Sequence, residues 1–261
     1  MTPRRRACAA AVVGVLVPAL VACSPATRAD TAASADDGTA PRTVTVLAAA
    51  SLTEPFTALA RAYEQDHPGV TVRLGFGSST TLAQQIAEGA PADVYASAGE
   101  SALDLLPPDA AADGGRAVIA RNTVEIATPP DNPGEVTGIA DLADPDLAVV
   151  LCAATVPCGA AADRVLAAAG VTPHVVSREV DVKATLTKVT LGEADAAMVY
   201  HSDVVSAGDA VHGVPVPAAD DVTLTYPLLW FSADPDVDGF ARFVAGPDGT
   251  AALVDAGFLA P

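Results

Sequence analysis

Four turns in this chain place hydrogen-bond donors where a helical pattern begins. They are AAASLT around Ser51, FGSSTTL around Ser79, VPCGA at Cys158 and Gly159, and EVDVK at Asp181 and Val182. The first turn of a helix leaves backbone N–H groups without partners and carries about half a unit of positive charge. It can hold an anion with no lysine or arginine. A neighbouring serine hydroxyl adds one more donor. Several such turns aimed at one point suit a doubly charged anion in a dry cleft. One turn alone says little, because Ser or Thr ahead of a helix is ordinarily only an N-cap. Gly75 and Gly77 flank Phe76, but their spacing matches neither the dinucleotide fingerprint nor the phosphate loop, and no G-K-[ST] step follows.

Other chemistries find less support. Ser51 or Ser79 as the nucleophile of an exported serine hydrolase would need a base beside it, and there is no G-x-S-x-G elbow. His67, His174, His201 and His212 are scattered over expected loops and strand ends. Asp36-Asp37 and Asp220-Asp221 read as solvated loops, and Lys183 and Lys188 as solvent-facing positions on a helix. Tyr226 and Trp230 read as core or hinge residues.

Strand and helix patterns alternate around the four turns. TVTVLA, VTVRLGF and ADVYAS are strand-like; between them lie SLTEPFTALARAYEQ, with Phe56, Leu59 and Tyr63 at helical spacing, and TLAQQIAEG. Ser51 and Glu54 have the spacing of a capping box, and Pro55 falls in the first turn, where proline is tolerated. The second half repeats the alternation. LAVVL, a helix from Pro157 to Ala169, a weak strand from Val175, a helix over VKATLTKVTLGEAD and the strand AAMVY follow in order. This βαβα order predicts an α/β protein whose parallel strands are covered by helices. Residues 43–122 form one lobe and 123–220 a second, and the last stretch, 221–261, is too short for a third and returns to the first. A ligand then belongs in the cleft, at the carboxyl ends of strands where helices start.

The N-terminus adds a destination. Arg4, Arg5 and Arg6 precede an apolar run from Ala7 to Ala22, the layout of a secretory signal over residues 1–22. The run is shorter than the ~20 apolar residues of a membrane span. It ends Leu20-Val21-Ala22-Cys23, which resembles a bacterial lipobox with Cys23 as the acylated residue. Residues 23–42, rich in small and polar side chains, then read as a flexible linker on a lipid anchor. Loss of residues 1–22 removes three arginines and no acid, so the net charge moves from −18 to −21. Such acidity argues against nucleic acid as a partner and repels anions at long range. Any anion must therefore be held by short-range hydrogen bonds. Cys8 leaves with the signal. Cys152 and Cys158 remain, in a chain bound for an oxidising compartment; a disulfide is the expectation, with two reduced, half-buried thiols as the alternative.

The segment VLAAASLTEPFTALARAYEQDHPGVTVRLGFGSSTTLAQQIAEGAPADVYASA, followed by VPCGAAADRVL, DVKATLTKV and EADAAMVYHSDV, resembles the molybdate-binding proteins of ABC importers in order and spacing. The likeness runs from about Thr43 to Phe258. It implies a two-lobed, type II periplasmic-binding-protein-like fold with mixed sheets flanked by helices and a ligand cleft between the lobes. It also implies a monomeric, extracytoplasmic, membrane-anchored binding protein rather than an enzyme, with an ABC permease as partner. The cargo would be molybdate or tungstate, or by the same fold sulfate or another small anion, with no cofactor. By position, Ser51 and Ser79 would each give hydroxyl and backbone N–H, Cys158 and Val182 backbone N–H, and Tyr200 its phenol. Molybdenum would be held as its oxyanion through these residues, with no side chain bound to the metal. The family often has alanine where Cys158 stands; a backbone contact tolerates cysteine if a bridge to Cys152 does not twist the turn. Asp181 is expected to cap the Val182 helix and face away. Molybdate near neutral pH carries no proton, so a donor-only pocket suits it. The O–H of hydrogen phosphate would be left unpaired there, at roughly 1–3 kcal/mol.

Overall fold

The computed structural model describes residues 42–217 and 222–261. The expected secretory signal, the expected Cys23 anchor, the expected linker up to residue 41, and the acid pairs Asp36-Asp37 and Asp220-Asp221 lie outside the described residues.

Among the described residues seventeen strands and helices, joined by turns and short 3-10 segments, follow from Arg42. In the first half, β1 (Arg42–Ala49), α1 (Thr53–Asp66), β2 (Val70–Gly77), α2 (Ser79–Ala87), β3 (Val94–Ala96) and β4 (Gly115–Asn122) come in order. Then follow β5 (Val124–Thr128), β6 (Val149–Cys152), α3 (Pro157–Ala169), β7 (Val175–Glu179), α4 (Val182–Thr190), β8 (Ala196–Tyr200), α5 (His201–Ala207) and β9 (His212–Pro215). The chain closes with β10 (Leu224–Trp230), α6 (Pro235–Ala245) and α7 (Pro247–Asp255). Among the described residues no helix is long and apolar enough to cross a membrane.

The strands form two five-stranded sheets, ordered β2-β1-β3-β10-β4 and β7-β6-β8-β5-β9. Both sheets lie within one compact unit. The expectation of parallel strands holds for the central βαβ pairs, β1 with β2 and β3, and β6 with β7 and β8. The other pairings are antiparallel. β10 runs against β3 and β4, and β5 against β8 and β9. The sheets are therefore mixed.

Register sets where the turns fall. Ala49 at the end of β1 pairs with Gly77 at the end of β2, so the Ser51 and Ser79 turns leave the sheet side by side. Cys152 at the end of β6 pairs with Glu179 at the end of β7, which does the same for the starts of α3 and α4. Val124, just past the crossing from β4 to β5, pairs with Tyr200 at the end of β8. The carboxyl ends of both sheets thus supply all the candidate donors, as open α/β sheets generally do.

Helix packing follows the apolar spacing. On α1 the residues Phe56, Leu59, Ala60 and Tyr63 are buried, and Phe240 meets Tyr63 edge-on with ring centroids 5.3 Å apart. The tail helices α6 and α7 thus pack against α1 and β4. Phe56 is fully enclosed. Replacing Phe56 by alanine should cost about 3–5 kcal/mol of unfolding free energy, measured as a lower denaturant midpoint; a loss below about 1 kcal/mol would mean that α1 is not packed as described.

Candidate functional site

A cavity with about 220 Å³ of space, part of it open to solvent, lies where the four turns meet. It is lined by Ser51, Ser79, Cys158, Val182 and Tyr200, the residues singled out from the sequence, together with Ala98, Val156 and Asp181 among others. Contacts beside it include the Thr80 hydroxyl donating to the Thr155 carbonyl at 3.0 Å and Lys183 Nζ approaching the Glu54 carboxylate at 2.9 Å.

Each lining residue owes its position to local structure. Ser51 sits in a short 3-10 segment, Ala50–Leu52, between β1 and α1. Ser79 is the first residue of α2, whose N-cap is Ser78, accepting from the Thr81 N–H at 3.2 Å. Its own hydroxyl is left for other work and accepts from the Ala98 N–H at 2.9 Å. Cys158 lies in the first turn of α3, after Pro157 at its start. Proline at that position loses no helical hydrogen bond. Val182 opens α4, capped by Asp181, whose Oδ1 accepts from the Ala184 N–H at 2.9 Å. The Asp181 carboxylate is thereby engaged with its own helix although the residue borders the cavity.

The start of α3 lies close on the end of β6, and glycine makes this possible. A Cβ on Gly159 would stand 2.0 Å from the Ala153 carbonyl oxygen and 2.7 Å from that of Cys152. The same junction carries a disulfide between Cys152 and Cys158, with Cα atoms 5.8 Å apart. Cys152 Sγ also lies 3.2 Å from the Thr185 hydroxyl on α4, and that hydroxyl donates to the Asp181 carbonyl at 2.9 Å. The bridge therefore touches the beginnings of both helices of the second lobe.

Tyr200 carries the most informative atom. Its ring is buried, yet its hydroxyl has no hydrogen-bond partner within the protein. Buried hydroxyls almost always have one, and this one belongs to a residue that lines the cavity. Burial pushes the Tyr200 phenol well above its ordinary pKa, with the neighbouring Tyr226 and Asp203 adding to the rise. It stays protonated and able to donate.

Two expectations are corrected here. Ser51 and Glu54 form no capping box: the N-cap of α1 is Leu52, with no side-chain cap. The inserted 3-10 segment moves the helix start past Ser51, whose hydroxyl instead lies 3.0 Å from the Tyr226 hydroxyl. Lys183 does not face solvent. It leans between lobes to meet Glu54, the Ser206 hydroxyl at 3.0 Å and Asp203 Oδ1 at 3.4 Å. Lys188 pairs with Glu193 at an exposed position. Among the histidines, His67 stacks on Tyr63 and His201 meets Glu125 at 2.5 Å, so neither lines the cavity as a base. No cluster of metal-ligating side chains occurs among the described residues.

Residues 44–259 match the family of bacterial extracellular solute-binding proteins. The chain belongs to that family. Its members bind solutes outside the cytoplasmic membrane and are not enzymes. The Mycobacterium tuberculosis molybdate-binding protein ModA is 36% identical over 253 residues, covering 96% of either chain. The fold is also that of the Azotobacter vinelandii periplasmic molybdate-binding protein, at a TM-score of 0.73 and 22% identity, covering 84% of this chain and 99% of that one. The sulfate-binding protein SubI of M. tuberculosis is similar too, at a TM-score of 0.71 and 18% identity over 83% of this chain and 86% of that one.

Asp203 is a fully buried carboxyl of this solute-binding protein. Burial raises its carboxyl to about 6, against the pull of Lys183. A carboxyl whose folded pKa lies above its ordinary 3.8 holds its proton more tightly in the folded state. The stability it contributes is fully present below that ordinary value and is lost as pH rises through about 6. Melting temperatures of the parent should therefore rise relative to Asp203→Asn as pH falls from about 7 to about 4. A constant difference would show that Asp203 titrates normally.

Proposed function

We propose that this chain is the solute receptor of an ABC importer and that its cargo is molybdate, with tungstate accepted alike. The observation that carries this reading is the small cavity at four helix or 3-10 starts, lined in part by Tyr200, whose buried hydroxyl has no partner. Its prospective ligands are the Ser51 and Ser79 hydroxyls with their backbone N–H groups, the Cys158 and Val182 N–H groups and the Tyr200 phenol. No lysine or arginine lines the cavity. A tetrahedral anion bearing no proton can accept from all of these donors. The M. tuberculosis relative, similar along nearly the whole chain, carries the name of a molybdate-binding protein, whereas the sulfate-binding neighbour shares the fold at 18% identity.

The same reading extends to the anchor and the bridge. Cys23 is the lipid-bearing N-terminus of the mature protein, and the tether that lets it reach a membrane permease as a monomer is residues 23–41, one residue shorter than the sequence suggests because Arg42 already opens β1. The bond between Cys152 and Cys158 persists in the exported protein and fixes the α3 turn.

Calorimetric titration of the mature domain with molybdate, tungstate, sulfate and phosphate tests the cargo. Molybdate and tungstate should bind comparably and far more tightly than phosphate. Phosphate binding as tightly as molybdate would sink the donor-only site, and silence toward all four would sink the assignment. Ser79→Ala should weaken molybdate by ~1 kcal/mol or more, the worth of one charge-assisted hydrogen bond; unchanged affinity would remove Ser79 from the ligand set. Intact-mass measurement on protein exported by a bacterial host should show acyl mass on Cys23 and both thiol hydrogens missing from Cys152 and Cys158.

A further inference from the structure

Behind Ser51 lies a run of buried polar groups that the ligand set leaves unexplained. Asn122 Nδ2 is 2.8 Å from the Ser202 hydroxyl and 3.3 Å from the Tyr226 hydroxyl, and the Tyr226 hydroxyl is 3.0 Å from Ser51 Oγ. Asn122, Ser202, Tyr226 and Ser51 are all buried. The orientation of the amide is fixed, since Asn122 Oδ1 accepts from the Thr123 N–H at 3.0 Å. Its NH₂ therefore faces Ser202 and Tyr226.

That orientation dictates the direction of every hydrogen in the run. An amide NH₂ only donates, so the Tyr226 oxygen accepts from Asn122. The phenol hydrogen must then find an acceptor, and the one within reach is Ser51 Oγ. Because Tyr226 donates to Ser51, the Ser51 hydrogen cannot point back and turns to the cavity. Ser79 is wired the same way by a different group. The Ala98 N–H, which can only donate, occupies an acceptor position of Ser79 Oγ and leaves its hydrogen to the cavity.

Resting on the oxyanion reading above, we propose that Tyr226 and Asn122 are specificity-determining positioning residues, which lock Ser51 as a donor and so set the discrimination between fully deprotonated and protonated oxyanions. A hydroxyl free to turn could offer its lone pairs to the O–H of hydrogen phosphate. A hydroxyl whose oxygen is engaged from behind offers its hydrogen first. Chains of this kind also polarise each successive donor, which favours an anion with acceptors on every side.

The test compares molybdate with hydrogen phosphate at mildly alkaline pH, where both are dianions. The readout is the ratio of their dissociation constants in the parent, Tyr226→Phe and Asn122→Asp, each checked by circular dichroism. Tyr226→Phe frees the Ser51 rotor and should narrow the ratio by about 5-fold, the worth of one ordinary hydrogen bond. Asn122→Asp offers the phenol an acceptor on the far side, reverses the run and should narrow the ratio further. The added charge repels both dianions alike, so it cancels in the ratio. A ratio unchanged in both variants, with both anions weakened equally, would overturn the proposal and reduce the pair to packing. If the parent itself binds neither anion, the oxyanion reading fails first and this inference with it.

Discussion

On the proposed reading, everything in this molecule depends on one constraint: a doubly charged anion must be held in a strongly acidic chain with no lysine or arginine lining the cavity. The net charge of the whole sequence is −18, and long-range electrostatics work against binding. What remains is short-range donation from the neutral groups that line the cavity. Such donors are worth most when their orientation is fixed before the ligand arrives, because little ordering is then left to bind against. The orphaned Tyr200 hydroxyl, the back-bonded Ser79 and the directed run through Asn122 and Tyr226 to Ser51 all have this character.

The fold delivers these groups through register. Parallel βαβ units end adjacent strands at the same level, so their helices begin side by side. Two such units facing each other bring four starts to one cavity. The antiparallel return of β10 then places Tyr226 beneath Ser51, from a segment 175 residues further along. The second lobe adds its own local device. Gly159 lets α3 settle on the end of β6, and the Cys152–Cys158 bridge touches the first turn of α4 through Thr185. Lys183 joins Glu54 to Asp203 beside the cavity, and the Asp181 carboxylate, which borders the cavity, caps its own helix through Oδ1.

Much of this was legible in the sequence because it is local. Alternating strand and helix periodicity, the glycine stops and the donor-rich turns are written in short stretches of chain, and the ligand candidates followed from those turns together with the family resemblance. What was misread is non-local. The spacing of Ser51 and Glu54 satisfies a capping box, but tertiary contacts draw the serine to Tyr226 and the glutamate to Lys183. Lys183 looked solvent-facing because its partners come from α1 and α5. The role of Tyr226 had a signal that could have been used. It alternates with Leu224 and Leu228 on a buried face, and a tyrosine in such a place needs a partner for its hydroxyl. Asn122 gives no such hint, since nothing in ARNT tells that its amide will lie beneath another strand's tyrosine.

The claim that neutral donors alone hold the anion is tested most directly by the ionic-strength dependence of molybdate affinity, measured calorimetrically with a non-coordinating salt. Short-range donation inside an acidic molecule predicts a dissociation constant that stays level or falls slightly as salt screens the repulsive field. A dissociation constant that climbs steeply with salt would mean that a cationic group grips the anion, and would contradict the account.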